Sequence, residues 1–384
     1  MDAREAMREA LACAHSVEGR TGPRPPVGAV LVRDGKIVGR GATAPPYGSH
    51  AEALALTQAG SDAQDADLYV SLEPCCIYVH TPPCTDAICK AGVRRVVIGA
   101  LDPNPRVYTQ GMEQLRRAGL EVEMYDGEET REASELVAPF ATYITKGRAH
   151  VTAKWAMTLD GKLASITGDA RWISGSEARL WVHELRDRVD AIIVGAGTAC
   201  MDNPRLTVRL PLHRPGSMRT SRDKPPLRII LSTHGQLPNS LHLLQPELAS
   251  GTWIIVGETC SQTQREQLRA SGVEVISSPI TDNGQIDLDA TLQILAQRDL
   301  MHVLLEGGMG LLGSAFDQRC IDHVAVFVAP KLIGGKSAPS PLGGVGRSIM
   351  AQARNIDNMR VTRIGTDMLF EGDIAYSEIT PEIS

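Results

Sequence analysis

Residues 49–56 read SHAEALAL, and residues 72–84 read LEPCCIYVHTPPC. The first stretch sets a histidine and a glutamate two residues apart at the mouth of an apolar helical run. One reading needs no chemistry: Ser49 caps the helix and Glu52, three residues on, completes a capping box. The other reading makes His50 a metal ligand and Glu52 a proton carrier beside it. The cysteines downstream favour the second. Catalytic zinc takes three protein ligands and keeps one position open, and His50, Cys75 and Cys84 supply one imidazole and two thiolates. Cys75 and Cys84 read as lying near helix N-termini, where thiols ionise more easily. Glu52 then faces the same water without ligating, placed to take its proton and pass it to a leaving group. Adding Cys76 as a fourth ligand gives a closed, structural zinc instead. A closed site has no use for a Glu two residues after the His, nor for prolines before both thiols.

Working outward, VGAVLVRDGKIVGRG (27–41) reads as a β-hairpin with an Asp-Gly turn. Strand-like and helix-like runs alternate on both sides of it, which predicts a sheet sandwiched by helices. The alternation breaks near TYITKGRAH (142–150) and restarts at HVTAKWAMT, so we expect two domains, residues 1–146 and 147–384. The halves share the alternating pattern but no evident repeat. Hydrophobic residues make up 43% of the 384 and charged residues 22%, the values of a globular chain with enough core for two domains. Aromatics are only 4%, so the cores must rest on aliphatic side chains. A net charge of −6 without a long basic run argues against binding nucleic acid through phosphates. No apolar run has membrane-spanning length and the N-terminus does not read as a signal peptide. Four of the eight cysteines crowd residues 75–89 rather than spreading as a disulfide framework would. The expected compartment is a reducing cytoplasm, with no membrane partner.

The pattern H-A-E, then P-C, then P-P-C has the form of zinc deaminases. Eight residues separate the two ligand cysteines. That long insert, ending in T-P-P-C, resembles the deaminase domain of the bifunctional riboflavin-biosynthesis deaminase/reductases. RPPVGAVLV (24–32) and LDPNPRV (101–107) resemble further elements of that domain. KWAMTLDGKLA (154–164), the run 171–209, LLEGGMGLLGSAF (304–316) and VAPKLIGG (328–335) resemble the reductase half, in order. The resemblance thus spans nearly the whole chain. It implies two three-layer α/β domains, a cytidine-deaminase-like αβα unit followed by a dihydrofolate-reductase-like αβα unit. It also implies zinc in the first and NADPH in the second. The expected substrate is a small phosphorylated pyrimidine, deaminated with the help of Glu52 and then reduced from a ribosyl to a ribityl chain. A homo-oligomer is the general expectation for such an enzyme.

Motif by motif, the resemblance places Ala156, Trp172, Thr198 and Asp202 on NADPH, with the loop Gly308, Met309, Gly310, Leu311, Leu312, Gly313 and Ser314. It places Arg186, Leu206, Arg209 and Glu306 on the substrate. Read by themselves, the glycines after LLE suit either a phosphate at a helix N-terminus or a tight turn, and they form no G-x-G-x-x-G fingerprint. Arg186 and Arg209 suit either a bidentate phosphate grip or surface ion pairs.

The deaminase pocket departs from the family. Arg24 stands where an Asn is usual, Gly41-Ala42-Thr43 where G-Y-H is, and Cys76-Ile77-Tyr78-Val79-His80 where S-H-x-G-[KR] is. Ala170 replaces a Ser that often contacts substrate in the reductase half. Arg24 and His80 are the candidates for positive charge at a phosphate. Other readings are a reductase whose zinc domain deaminates a different heterocycle or none, and a zinc-stabilised scaffold without catalysis. Intact Glu52 counts against the scaffold. The long cysteine insert, acidic charge and second half count against a nucleic-acid-editing deaminase.

Overall fold

The computed structural model describes residues 1–78, 81–210, 222 and 224–376. Contacts divide the chain into two units, one built on Met1–Arg148 and the other beginning at Ala149. Residues Asp299–Met301 group with the first unit, although a linear boundary assigns them to the second.

In the first unit five strands form one sheet: β1 (Gly28–Arg33), β2 (Lys36–Ala42), β3 (Asp67–Val70), β4 (Arg95–Ile98) and β5 (Glu121–Met124). Their order is β2-β1-β3-β4-β5. β1 runs antiparallel to β2 and β3, and β3, β4 and β5 are parallel. Asp34 and Gly35 both have positive φ (50° and 70°), the backbone that a two-residue I′ hairpin needs. The helices are α1 (Ala3–Ser16), α2 (Ala51–Ala59), α3 (Cys84–Lys90), α4 (Gln110–Arg117) and α5 (Glu129–Lys146). Met7, Leu11, Leu31, Leu68, Ile88, Ile98 and Leu115 are fully buried, so the core is aliphatic as the composition requires.

The 18-residue helix α5 has no counterpart in the sequence reading. Pro139 lies inside it, a residue that normally argues against a helix. Its first turn is fastened to α1 by buried Glu129, which accepts from Arg4 Nε (2.8 Å), Arg8 Nε (2.8 Å) and Tyr125 Oη (2.9 Å). The Arg4 hydrogen bond, above all, holds the Glu129 carboxyl down at about 2. A carboxylate with a depressed pKa stabilises the fold above its unfolded pKa and loses that contribution as pH falls through the folded value. Glu129→Gln is therefore expected to lower the urea midpoint at pH 6 and to narrow the drop in midpoint between pH 5 and pH 2. Chemical denaturation at the three pH values measures this.

In the second unit the strands are β6 (His150–Thr158), β7 (Ala191–Gly195), β8 (Leu227–Leu231), β9 (Thr252–Gly257), β10 (Glu274–Ser278), β11 (His302–Glu306), β12 (His323–Ala329), β13 (Ile356–Ile364) and β14 (Asp367–Ile374). The sheet order is β10-β9-β8-β7-β11-β6-β12-β14-β13. β6 to β12 are parallel, and β14 and β13 join antiparallel at one edge. The helices are α6 (Ser176–Arg188), α7 (Ala196–Asp202), α8 (Pro246–Ala249), α9 (Gln262–Ala270), α10 (Leu288–Ala296) and α11 (Met309–Asp317). β11 inserts between β7 and β6, so the carboxyl ends of three neighbouring strands meet where connections diverge, the usual place for a ligand crevice. The hairpin β13–β14 was also not foreseen. β13 is exposed along nearly its whole length, so burial imposes no apolar pattern on it. Among the described residues, no helix is long and apolar enough to cross a membrane.

Candidate active site

His50 is the N-cap residue of α2, and no side chain caps that helix. The capping-box reading of Ser49 and Glu52 is thus corrected: the helix starts two residues later than Ser49, and Glu52 turns inward, 4% exposed. Gly41 makes this placement possible. A Cβ there would lie 2.0 Å from the Ala51 carbonyl oxygen, so only glycine lets α2 settle on β2. Cys75 follows Pro74 in the loop after β3. Gly111 has the matching role there, since its Cβ would meet the Pro74 oxygen at 2.1 Å. Cys84 opens α3, and its backbone N–H, an unpaired donor of a first helical turn, donates to Cys75 Sγ at 3.4 Å.

The ligand atoms of His50, Cys75 and Cys84 all lie within 4.8 Å of one another. Nδ1 of His50 is 3.3 Å from Cys84 Sγ and 3.5 Å from Cys75 Sγ, so Nδ1 is the nitrogen that faces the thiols. Tetrahedral zinc, with bonds of about 2.0 Å to nitrogen and 2.3 Å to sulfur, sets those atoms about 3.6 Å apart. The three donors therefore fit zinc. Cys76 does not join them: among the described residues the cluster has three donors, which corrects the four-ligand alternative. The two thiols share a proton unequally. The hydrogen bond from Cys84 brings Cys75 down to about 4, and the same bond, with burial, pushes Cys84 up. Burial, and then the Cys75 thiolate, raise Glu52 to about 7.

His50, Glu52 and Cys75 face a cavity of about 420 Å³ whose walls include Thr43, Ile77, Thr81, Asp102 and Asn104. Arg24, a candidate for positive charge at a phosphate, lines it with its guanidinium engaged by the neighbouring loop. Its Nη atoms donate to the carbonyls of Ala44 (2.6 Å), Pro45 (2.6 Å) and Gly48 (2.8 Å), groups that a proline-rich loop leaves without sheet partners. Thr43 Oγ1 accepts from the Val27 N–H at 3.0 Å, closing the β1–β2 pair. His80 and Val79 lie outside the described residues. Glu73 was missed in the sequence. Buried, it accepts from the N–H groups of Asp102 (3.2 Å), Thr109 (3.0 Å) and Met112 (3.1 Å), and so shapes the wall that carries Asp102 and Asn104. A lone acid ending an apolar strand was the available signal.

In the second unit Arg186, on α6, forks onto Glu306 at the end of β11, with Nη2 2.8 Å from Oε2, and Nη1 donates to the Thr207 carbonyl at 3.1 Å. Their side chains are 12% and 13% exposed. Lys154 lies opposite Glu306 in the β6–β11 ladder, and burial lowers its pKa. It too was missed, because a single lysine in an apolar strand reads as an edge or surface position. Lys154, Arg186 and Glu306 thus meet at one locus. Leu206 is buried at 3% with φ 48°, and the Arg209 side chain is exposed, its backbone N–H bonded to His183 Nδ1 at 3.3 Å.

Of the cofactor candidates, Thr198 and Gly308 meet beyond the carboxyl ends of β7 and β11. The Gly308 N–H donates to Thr198 Oγ1 at 3.0 Å, which ties the turn before α11 to α7. A Cβ on Gly197 or Gly310 would meet nothing within 4 Å, so this glycine-lined cradle is open, as a pyrophosphate requires. Not every residue of 308–314 turns towards it. Leu312 is fully buried, Gly313 packs on Gly343, and Ser314 Oγ donates to Gln285 at 3.1 Å. Trp172 is 67% exposed with φ 65° and stacks under the Arg179 guanidinium at 4.5 Å. Ala156 is half-buried on β6, and Asp202 ends α7.

Comparison with known proteins follows the same division. Residues 1–100 match the cytidine and deoxycytidylate deaminase zinc-binding region, and residues 149–370 the RibD C-terminal domain. The class is a zinc-binding deaminase unit joined to a reductase unit. Riboflavin biosynthesis protein RibD of Aquifex aeolicus is 39% identical over 94% of this chain and 96% of its own length. RibD of Bacillus amyloliquefaciens is 39% identical over 94% of each. Among solved structures, Acinetobacter baumannii RibD aligns with a TM-score of 0.80 at 32% identity, covering 97% of this chain and 98% of its own. The deaminase/reductase of Thermotoga maritima aligns at 0.76 and 33%, with the same coverage. The chain belongs to the RibD family, the bifunctional deaminase/reductases of riboflavin biosynthesis.

Proposed function

We propose that residues 1–146 deaminate 2,5-diamino-6-(5-phosphoribosylamino)pyrimidin-4-one and that residues 147–384 then reduce its ribosyl group to a ribityl chain. The observation that carries this reading is the meeting of His50 Nδ1 with two thiols beside buried Glu52, in a cavity of about 420 Å³. His50, Cys75 and Cys84 would hold one zinc per deaminase domain. Zinc supplies Lewis acidity that makes a water nucleophilic at neutral pH. Glu52, raised to about 7, exchanges a proton readily near neutrality. Its carboxylate takes the proton from the attacking water and delivers it to the departing amine, which leaves as ammonia. The cavity walls orient the ring and limit access of bulk water.

In the second unit the cradle between Thr198 and Gly308 would receive NADPH, with Ala156, Trp172 and Asp202 around it. NADPH supplies the hydride. Arg186 and Arg209, with Lys154 beside them, would hold the phosphorylated intermediate, Leu206 would pack against it, and Glu306 would orient Arg186 and accept a sugar hydroxyl. We also read the chain as a cytoplasmic homo-oligomer. Support for the oligomer comes from exposed apolar side chains on β13 and the segment before it, among them Val345, Met350, Met359 and Val361. They adjoin an apolar cavity of about 660 Å³ on the sheet, whose lining includes none of the proposed site residues.

Metal removal tests the first half. Chelation is expected to stop ammonia release while NADPH-dependent reduction of the deaminated intermediate continues. Zinc at about one equivalent per chain should restore deamination. Undiminished deamination by protein shown to be free of metal would contradict the assignment.

A further inference from the structure

The stretch that closes β6 does more than turn the chain. Leu159 and Leu163 donate their N–H groups to the carbonyls of Lys331 and Pro339, each at 2.8 Å. Between them the Asp160 carboxylate accepts from the backbone N–H groups of Gly334 (2.7 Å) and Ile333 (3.3 Å), and from Thr158 Oγ1 (2.6 Å). Gly334 and Gly335 both have positive φ, 69° and 88°. Convergent backbone amides in such a turn form an anion cradle, and here the anion is the protein's own.

The segment seated in this way runs on to a second carboxylate. Asp317 Oδ2 accepts the Val345 N–H at 2.9 Å. On the way Gly343 donates to the Met309 carbonyl at 3.0 Å. It also lies so close to α11 that a Cβ on Gly313 would stand 2.4 Å from its carbonyl carbon. Near the other end, Lys331 Nζ donates to the Trp172 carbonyl. Residues 331–345 thus touch both proposed cofactor elements, exposed Trp172 and the first turns of α11, and Asp160 fixes their near end.

We infer that Asp160 is a positioning residue for the reductase site: seated on the amides of residues 333 and 334, it holds the glycine-rich segment that sets Trp172 and the α11 turn for NADPH. This rests on the NADPH reading above. Asp160 acts through other residues, so its loss should weaken cofactor binding and spare the chemical step.

The test compares Asp160→Ala and Gly334→Ala with wild type. The second variant adds a Cβ that meets nothing within 4 Å and disturbs only the left-handed backbone. Each is expected to raise the NADPH dissociation constant about tenfold, within the usual range of coupling between a remote element and a site. Each should also speed amide exchange across 331–345 before any cofactor is added. At saturating NADPH, kcat for reduction should stay within about twofold of wild type, and deamination should not change. Asp160→Asn, which keeps one acceptor oxygen, should fall between. Unchanged NADPH affinity in folded Asp160→Ala would overturn the inference, as would a fall in kcat with affinity intact. If wild type binds no NADPH, the reading of the second site fails and this inference with it.

Discussion

Glu52→Gln is expected to abolish ammonia release, by roughly 10³-fold or more, while reduction of the deaminated intermediate proceeds at the wild-type rate. Gln keeps the size and shape of the side chain in a position only 4% exposed, so packing is preserved. It removes the buried carboxyl beside the three donors, the group that burial sets near neutrality. Zinc content should be unchanged, because the three converging donors are untouched. Stability should hold or rise slightly, since a buried carboxyl next to a thiolate is replaced by a neutral amide. Ammonia and NADPH assays on each intermediate, together with metal content, separate these effects. An equal loss of both activities in folded, zinc-loaded Glu52→Gln would refute independent sites.

The second large effect is expected at Arg186. Its guanidinium forks onto Glu306 and reaches the Thr207 carbonyl, with both charged side chains nearly buried. Arg186→Gln leaves Glu306 without its bidentate partner, and removing one member of a buried pair costs about 3 kcal/mol or more. Reduction should fall by at least about 10²-fold in kcat/KM, because the carboxylate that would orient the sugar loses its fixed position. Arg186→Lys should rescue little, since an ammonium cannot reproduce the planar fork and the third bond. Deamination is expected to survive. Urea denaturation and the two activity assays measure all three outcomes. Wild-type reduction by Arg186→Gln would remove Arg186 from the site.

The convergence of His50, Cys75 and Cys84 was legible because metal chemistry restricts residue types. Few arrangements other than a ligand set call for a His, a Glu two residues on, and two proline-flanked cysteines. The alternation of strands and helices was legible for a similar reason: burial on a sheet imposes an apolar period. Where burial is absent or a local signal opposes the fold, the sequence was silent. β13 is exposed and shows no such period. α5 carries Pro139, and it stands because Ala133, Leu136, Val137 and Phe140 pack into the core and Glu129 docks its first turn onto Arg4 and Arg8. Lys154 and Glu73 escaped notice because their partners come from distant segments, Glu306 across the β-ladder and the amides of residues 102, 109 and 112. Arg24 was read as a candidate for positive charge at a phosphate, and the loop carbonyls that take up its Nη atoms carry no sequence signature.

The central claim is that one chain performs both steps on one intermediate, with a deaminase pocket whose walls include Arg24, Thr43 and Ile77. The direct measurement supplies zinc-loaded protein with the diaminopyrimidinone ribosyl phosphate and NADPH, and follows ammonia and NADPH together. We expect ammonia release first and NADPH oxidation after it, in equal amounts. NADPH oxidation only when the deaminated intermediate is supplied, with no ammonia at any substrate concentration, would contradict it and leave a reductase whose zinc unit serves another substrate.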